Sequence, residues 1–68
     1  MAKQTVMQSI WKEVLGLEQS PGLEDSFFDL GGNSFIAAKV AQMYLEKTGD
    51  TLEIADFFEK ETIAQLVG

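Results

Sequence analysis

The residues with the clearest chemical use are a serine hydroxyl and the two glycines shortly before it, in the run Asp29-Leu30-Gly31-Gly32-Asn33-Ser34. Glycines let the backbone turn without strain from a Cβ atom, and Asn33 or Ser34 is suited to be the N-cap of the apolar-rich segment that follows. The N–H groups and partial positive charge at a helix N-terminus favour a phosphodiester carried on Ser34. The pattern therefore predicts an attachment point, although the same residues also describe an ordinary capping turn.

Catalysis by the chain itself is not supported by its sequence. The chain contains no histidine, so the usual base of a serine hydrolase is missing. Lys39 lies about 140° round the helix from Ser34, which separates the two side chains. Asp25 and Asp29 are candidates for an acid and a base, but nothing in the sequence indicates a pocket that would separate their pKa values. The segment 25–35 also lacks the alternating oxygen ligands of a calcium loop, so we expect neither a catalytic site nor a metal site.

The wider segment Asp25 to Phe35 resembles the phosphopantetheine attachment signature of carrier proteins, especially the peptidyl and acyl carrier domains of nonribosomal peptide and polyketide synthetases. The segment Ile10 to Gly16 is similar to the first helix of that family. Phe57-Phe58 and Thr62-Ile63 are similar to its C-terminal portion. The resemblance therefore covers nearly the whole chain.

This resemblance implies that Ser34, preceded by Gly32 and Asn33, carries 4′-phosphopantetheine, which a separate phosphopantetheinyl transferase moves from coenzyme A. Two positions depart from the family pattern. Glu61 stands where the family commonly has a proline, and Phe35 stands where an aliphatic residue usually follows the serine. We expect the first departure to affect only the last turn and the second to affect the choice of partner.

The composition describes one small, acidic domain of 68 residues. A chain of this size buries only about 60% of the surface that its unfolded form exposes. It has no Cys and no His, so helix packing rather than disulfides or a structural zinc must hold the fold. Five Lys and eleven Asp and Glu give a net charge of −6, which repels nucleic acid and suits docking onto basic surfaces. The charges expected near the serine are those of Glu24, Asp25, Asp29 and Asp56.

The first helix is indicated by apolar residues at helical spacing, namely Val6, Met7, Ile10, Trp11, Val14 and Leu15. Thr5 and Gln8 are placed to form a capping box, and Gly16 is suited to end the helix. A long connection follows, from Glu18 to Gly32. Connections of this length in compact domains are usually functional or packed by their own side chains. We expect four apolar residues to anchor it: Leu23, Phe27, Phe28 and Leu30.

The second helix is predicted from Ser34 to Lys47 or Thr48, with Gly49 just beyond its end. One side of its helical wheel faces the core and carries Ile36, Ala37, Val40, Met43 and Tyr44. Another side carries Ser34, Phe35, Ala38 and Gln42. The second side should leave Phe35 half exposed beside the serine. The resemblance to carrier proteins implies that this face contacts partner enzymes. The alternative is that Phe35 folds down onto the long connection.

Two further helices complete the predicted architecture, a short one over Ile54 to Glu59 and a final one capped by Thr62 and running through Val67. We expect Phe58 to pack inward and Phe57 to lie at the surface near Ser34 as a docking residue. The predicted fold is an all-α, small four-helix bundle of acyl-carrier-protein type. It has three longer helices plus one short helix, and a long loop between helices one and two.

The resulting hypothesis is that residues 1–68 form a non-enzymatic carrier domain that tethers acyl or aminoacyl groups as thioesters. The expected partners are the transferase and adenylation, condensation, acyltransferase, ketosynthase or thioesterase domains. We expect a cytoplasmic monomer that engages no nucleic acid and no membrane. The run Gly31-Gly32-Asn33-Ser34, preceded by Phe27-Phe28, resembles a peptidyl carrier more than a fatty acid carrier, which usually has Asp immediately before the serine. The alternatives are a helical adaptor that binds one protein through its second helix and, more remotely, a minimal hydrolase.

Overall fold

The computed structural model describes residues 2–68, in which the regular structure is entirely helical. Its four helices are α1 (Lys3–Leu15), α2 (Ser34–Thr48), α3 (Ile54–Glu59) and α4 (Ile63–Val67). Four helices and the long loop between the first two are as predicted. The expected split into three longer helices and one short helix is wrong, because α1 and α2 have 13 and 15 residues whereas α3 and α4 have 6 and 5.

Helix α1 begins earlier than the predicted capping box requires. Its N-cap is Ala2, in an extended conformation, so Thr5 and Gln8 lie inside the helix and the expected box is wrong. The Gln8 side chain instead donates a hydrogen bond to the carbonyl of Pro21 at 2.8 Å, which ties α1 to the long loop. The predicted end is confirmed, since Gly16 has a φ of 67° and donates its N–H to the carbonyl of Lys12.

Helix α2 has the predicted bounds, and Asn33 rather than Ser34 is its N-cap. Asn33 is extended, and its side-chain oxygen accepts the N–H of Ile36 at 3.0 Å. At the other end Gly49 has a φ of 81° and donates its N–H to the carbonyl of Leu45. The cap leaves Ser34 as the first residue of the helix, with its hydroxyl not used for capping.

The core lies between the four helices and the long loop. It is built from ten buried side chains: Val6, Met7, Ile10, Trp11, Phe27, Ala37, Val40, Tyr44, Phe57 and Ile63. The predicted inner face of α2 is confirmed, because Ala37, Val40 and Tyr44 are buried and Ile36 and Met43 pack against them. All four predicted loop anchors also contribute. Phe27 is completely buried, and the other three pack against the core while remaining partly accessible.

Phe57 and Phe58 are placed the opposite way from the prediction. Phe57 is 0% exposed and Phe58 is 53% exposed, so the expectation that Phe57 is a docking residue at the surface is wrong. The ring of Phe57 lies 5.0 Å from that of Phe27, on the inner side of α3. The next residue is turned about 100° round the helix, and Phe58 therefore stacks on the partly exposed Phe28, with ring centroids 5.0 Å apart.

Candidate functional site

Ser34 is exposed at the N-terminus of α2, at the end of the long loop. The first N–H groups of a helix have no acceptor within it. The N–H groups of Ile36 and Ala37 are taken by the side chain and the carbonyl of Asn33. Those of Ser34 and Phe35 remain at the open end of the helix, beside the hydroxyl. The site therefore combines an accessible nucleophilic oxygen with backbone donors and a helix dipole that favour a negative group.

The turn that delivers Ser34 depends on two glycines in different ways. Gly31 has a φ of 100°, a conformation that residues with a Cβ rarely adopt. Gly32 instead lies against the ring of Phe27, where a Cβ would be only 2.4 Å from the nearest ring carbon. Its N–H also donates to the Phe27 carbonyl at 2.9 Å. The turn therefore rests directly on a buried core residue.

The segment before this turn is held by the connection between α3 and α4 and by the first turn of α4. The N–H of Phe27 donates to the carbonyl of Glu61 at 2.7 Å. The Ser26 hydroxyl donates to Oε1 of Glu61 at 2.9 Å. The N–H of Ala64 donates to the carbonyl of Leu23 at 3.0 Å. Residues far apart in the sequence thus fix the loop that presents Ser34.

The contribution of Glu61 is not visible in the sequence. In the sequence, Glu61 stands out only as a departure from the family pattern. Its hydrogen-bond partner Ser26 lies 35 residues away along the chain. No local spacing rule connects positions at that separation.

The predicted docking residues on α2 are at the surface. Phe35 is 88% exposed, and Ala38 and Gln42 on the same helix are exposed as well. The Gln42 side chain donates a hydrogen bond to Oε2 of Glu46 at 3.3 Å. Phe35 is therefore even more accessible than the half exposure predicted, and the alternative in which it folds onto the long loop is wrong. An apolar ring left in water next to Ser34 is unfavourable for an isolated domain.

The acidic side chains expected near the serine have different surroundings. Glu24 and Asp29 are exposed. Asp25 accepts the N–H of Gly22 at 2.8 Å and so closes a turn in the loop. Asp56 accepts the N–H of Glu53 at 2.9 Å as part of the capping box of α3. Two of the four carboxylates therefore have a local structural use.

The described residues give no sign of a second chemical centre. Lys39 is exposed on α2. Within residues 2–68, carboxylates do not gather in groups of three or more that could hold a metal ion. The helices in the same range are all too short or too polar to cross a bilayer.

Comparison with known proteins identifies the family. The family model described as "Phosphopantetheine attachment site" matches residues 5–68, nearly the whole chain. The chain belongs to this family. It is a carrier domain, and 4′-phosphopantetheine is its covalently attached cofactor. The exposed hydroxyl of Ser34 and the open donors at the start of α2 fit a phosphate ester of that kind.

Individual relatives of the carrier domain agree with this assignment. A linear gramicidin synthase of Brevibacillus parabrevis is 41% identical over 63 residues, which are 93% of this chain and 1% of that protein. Peramine synthetase A of Epichloe festucae is 48% identical over 62 residues, covering 90% of this chain and 2% of that protein. The chain thus spans only a small part of these curated relatives.

A solved structure also matches the fold. BlmI, a type-II acyl-carrier-protein from Streptomyces verticillus involved in bleomycin biosynthesis, superposes with a TM-score of 0.87 at 33% identity. The match covers 97% of this chain and 78% of that one. The all-α carrier fold predicted from the sequence is confirmed.

Proposed function

We propose that Ser34 is the residue to which the phosphopantetheine is attached, and that Gly32 and Asn33 place it for this modification. The supporting observation is the position of the Ser34 hydroxyl, exposed as the first residue of α2 while Asn33 provides the cap. A serine used for capping would have its oxygen engaged with the backbone. Here the capping and attachment roles are divided between neighbouring residues.

The chain's own residues bind and present the group without performing the chemistry. The attached arm supplies a terminal thiol, which holds an acyl or aminoacyl group as a thioester. The N–H groups of Ser34 and Phe35 and the dipole of α2 stabilise the negative charge of the ester at Ser34. The sequence has no histidine to act as a general base, so the domain is a non-catalytic carrier that depends on separate enzymes.

The pathway we propose is nonribosomal peptide synthesis, with aminoacyl or peptidyl cargo. Two relatives, at 41% and 48% identity, are a linear gramicidin synthase and a peramine synthetase. The Asn immediately before Ser34 supports the same choice over a fatty acid carrier. The partners would then be a phosphopantetheinyl transferase followed by adenylation, condensation and thioesterase domains. In a polyketide pathway, acyltransferase and ketosynthase domains would take the place of the adenylation and condensation domains.

The protein surface suits brief contacts with several such enzymes in turn. The docking residues Phe35, Ala38 and Gln42 form a small face on α2, and the net charge is −6. A small, partly polar face gives weak and reversible binding, and an acidic surface speeds encounter with basic partners. We propose that residues 1–68 act as one monomeric carrier unit.

Modification with coenzyme A and a phosphopantetheinyl transferase tests the proposal. The chain contains no cysteine, so a thiol detected on the purified protein must come from an attached group. The parent should gain one phosphopantetheine by intact mass and one titratable thiol per chain. Ser34→Ala should gain neither while keeping its helical circular dichroism, because Asn33 and not Ser34 caps α2.

Other outcomes would overturn the assignment. If Ser34→Ala still gains a thiol, then Ser9, Ser20 or Ser26 carries the group and the site is elsewhere. If the parent gains none with an active transferase, a helical adaptor that docks through Phe35 becomes the better interpretation. Turnover of an ester by the unmodified chain would instead favour a hydrolase.

A further inference from the structure

Glu61 accepts one hydrogen bond from each of two consecutive residues of the long loop, Ser26 and Phe27. Its backbone carbonyl accepts the N–H of Phe27 at 2.7 Å, and its side-chain Oε1 accepts the hydroxyl of Ser26 at 2.9 Å. The main chain and the side chain of one residue thus hold two consecutive loop positions. The Glu61 side chain is otherwise exposed, so its hydrogen bond with Ser26 is the contact that fixes the carboxylate.

The contacts continue from Phe27 to the serine. The carbonyl of Phe27 accepts the N–H of Gly32 at 2.9 Å, and its ring lies so close to Gly32 that a Cβ there would meet it at 2.4 Å. Gly32 is followed directly by the capping residue and by Ser34. A displacement of Phe27 therefore moves the turn that sets the position of the hydroxyl.

We propose that Glu61 is a positioning residue for the modification of Ser34, acting through Ser26 and Phe27. The side-chain bond to Ser26 fixes the direction of the Glu61 carbonyl, and that carbonyl in turn holds Phe27 against Gly32. The inference rests on the proposed function of Ser34 and concerns how that serine is held for the transferase.

The hydrogen bond between Ser26 and Glu61 can be removed by substituting either residue, and neither substitution changes Ser34 or its immediate neighbours. Glu61→Ala removes the acceptor, Ser26→Ala removes the donor, and Glu61→Gln retains an oxygen that accepts the same hydrogen bond. Glu59→Ala is the matched control, since it removes an exposed carboxylate two residues away and changes the net charge equally. If one alanine variant fails to fold, the other still removes the bond.

Amide hydrogen exchange on the unmodified protein measures the proposed restraint directly. Glu61→Ala and Ser26→Ala should speed exchange of the N–H groups of Phe27 and Gly32 roughly two- to tenfold, as expected for loss of one hydrogen bond. The N–H of Gly49, which donates to Leu45 at the far end of α2, should exchange at the parent rate. Glu61→Gln and Glu59→Ala should resemble the parent at all three positions.

The kinetics of transfer then separate positioning from general destabilisation. Loss of folded protein raises the apparent KM for the carrier at unchanged kcat, because more total protein is needed to reach the same folded concentration. A displaced hydroxyl instead lowers kcat, and we expect roughly a two- to tenfold decrease for both alanine variants at unchanged KM. The double variant should be no slower than either single variant, since all three lack the same bond.

The results would be read against the parent in the same assay. A kcat equal to the parent's for Glu61→Ala and Ser26→Ala, with unchanged exchange at Phe27 and Gly32, would overturn the inference while leaving Ser34 as the attachment site. An equal decrease in Glu59→Ala would also overturn it, because charge alone would then explain the effect. A parent that accepts no group would refute the proposed function instead, and the exchange data would still show whether the restraint exists.

Discussion

Phe57 and Phe27 pack against each other across the gap between α3 and the long loop, with ring centroids 5.0 Å apart and both side chains fully buried. The ring of Trp11 also lies against Phe27, at 5.1 Å. Phe27 is therefore held by both α1 and α3. Because Gly32 rests on the same ring, the packing of α3 determines where the turn before Ser34 lies.

Replacing the two adjacent phenylalanines of α3 should have unequal effects on stability. Phe57→Ala removes a completely buried ring and should lower the free energy of unfolding by about 3–5 kcal/mol. Phe58→Ala removes a half-exposed ring stacked on Phe28, and about 0.5–1.5 kcal/mol is expected. Urea unfolding followed by the fluorescence of Trp11, the single tryptophan, measures both. A larger loss for Phe58→Ala would contradict the orientation of α3.

Gly32→Ala should disturb the site from within the core. The added Cβ would meet the Phe27 ring at 2.4 Å, and relieving such a contact costs about 1–3 kcal/mol. We expect both a lower unfolding free energy and slower modification of Ser34. The control is Gly22→Ala in the same loop, where the nearest atom is a side-chain oxygen of Asp25 at 3.3 Å. If Ser34 is modified equally fast in Gly32→Ala and Gly22→Ala, then the contact between Gly32 and the Phe27 ring does not set the position of the serine.

The parts of the fold that could be predicted are those fixed by neighbouring residues. The bounds of α2 follow from Asn33 at one end and Gly49 at the other, and its inner face follows from the spacing of apolar residues. Ser34 stands out in the sequence for the same reason, since the glycines and the helix start are adjacent to it. Local signals are sufficient here because helix ends and helix faces are themselves local properties.

The parts that could not be predicted depend on contacts across the chain. Nothing in the sequence around α3 distinguishes Phe57 from Phe58, and the choice is made by the position of Phe27. Gln8 could cap a helix, but the carbonyl of Pro21 lies within its reach. The bonds of Glu61 to the loop likewise exist only once the helices have packed.

Phe35→Glu should impair interaction with partner enzymes while leaving the fold intact. Phe35 is 88% exposed, so a charged residue there buries nothing, and the helical circular dichroism and melting temperature should match the parent. The rate of modification or of downstream loading should fall, because an apolar contact beside Ser34 is lost and a charge is added. Phe35→Ala should give a smaller decrease, since it removes the ring alone.

Thr5→Glu is the control for charge, because it adds one negative charge at an exposed position on α1. It should load at the parent rate. If Phe35→Glu loads as fast as Thr5→Glu, then Phe35 has no part in docking. If Phe35→Glu unfolds, the exposure of its ring in the structure is wrong.

Val40→Asp tests the orientation on which the site depends. Val40 is completely buried on the inner face of α2, so the substitution places a carboxylate in the core without a partner. Small domains are stable by only about 5–15 kcal/mol, and we expect the variant to lose its cooperative thermal transition. Ala38→Asp introduces the same charge at an exposed position of the same helix and should melt as the parent does. Because Ser34 and Phe35 face outward only if Val40 faces inward, a cooperative melt of Val40→Asp at the parent's temperature would refute both placements at once.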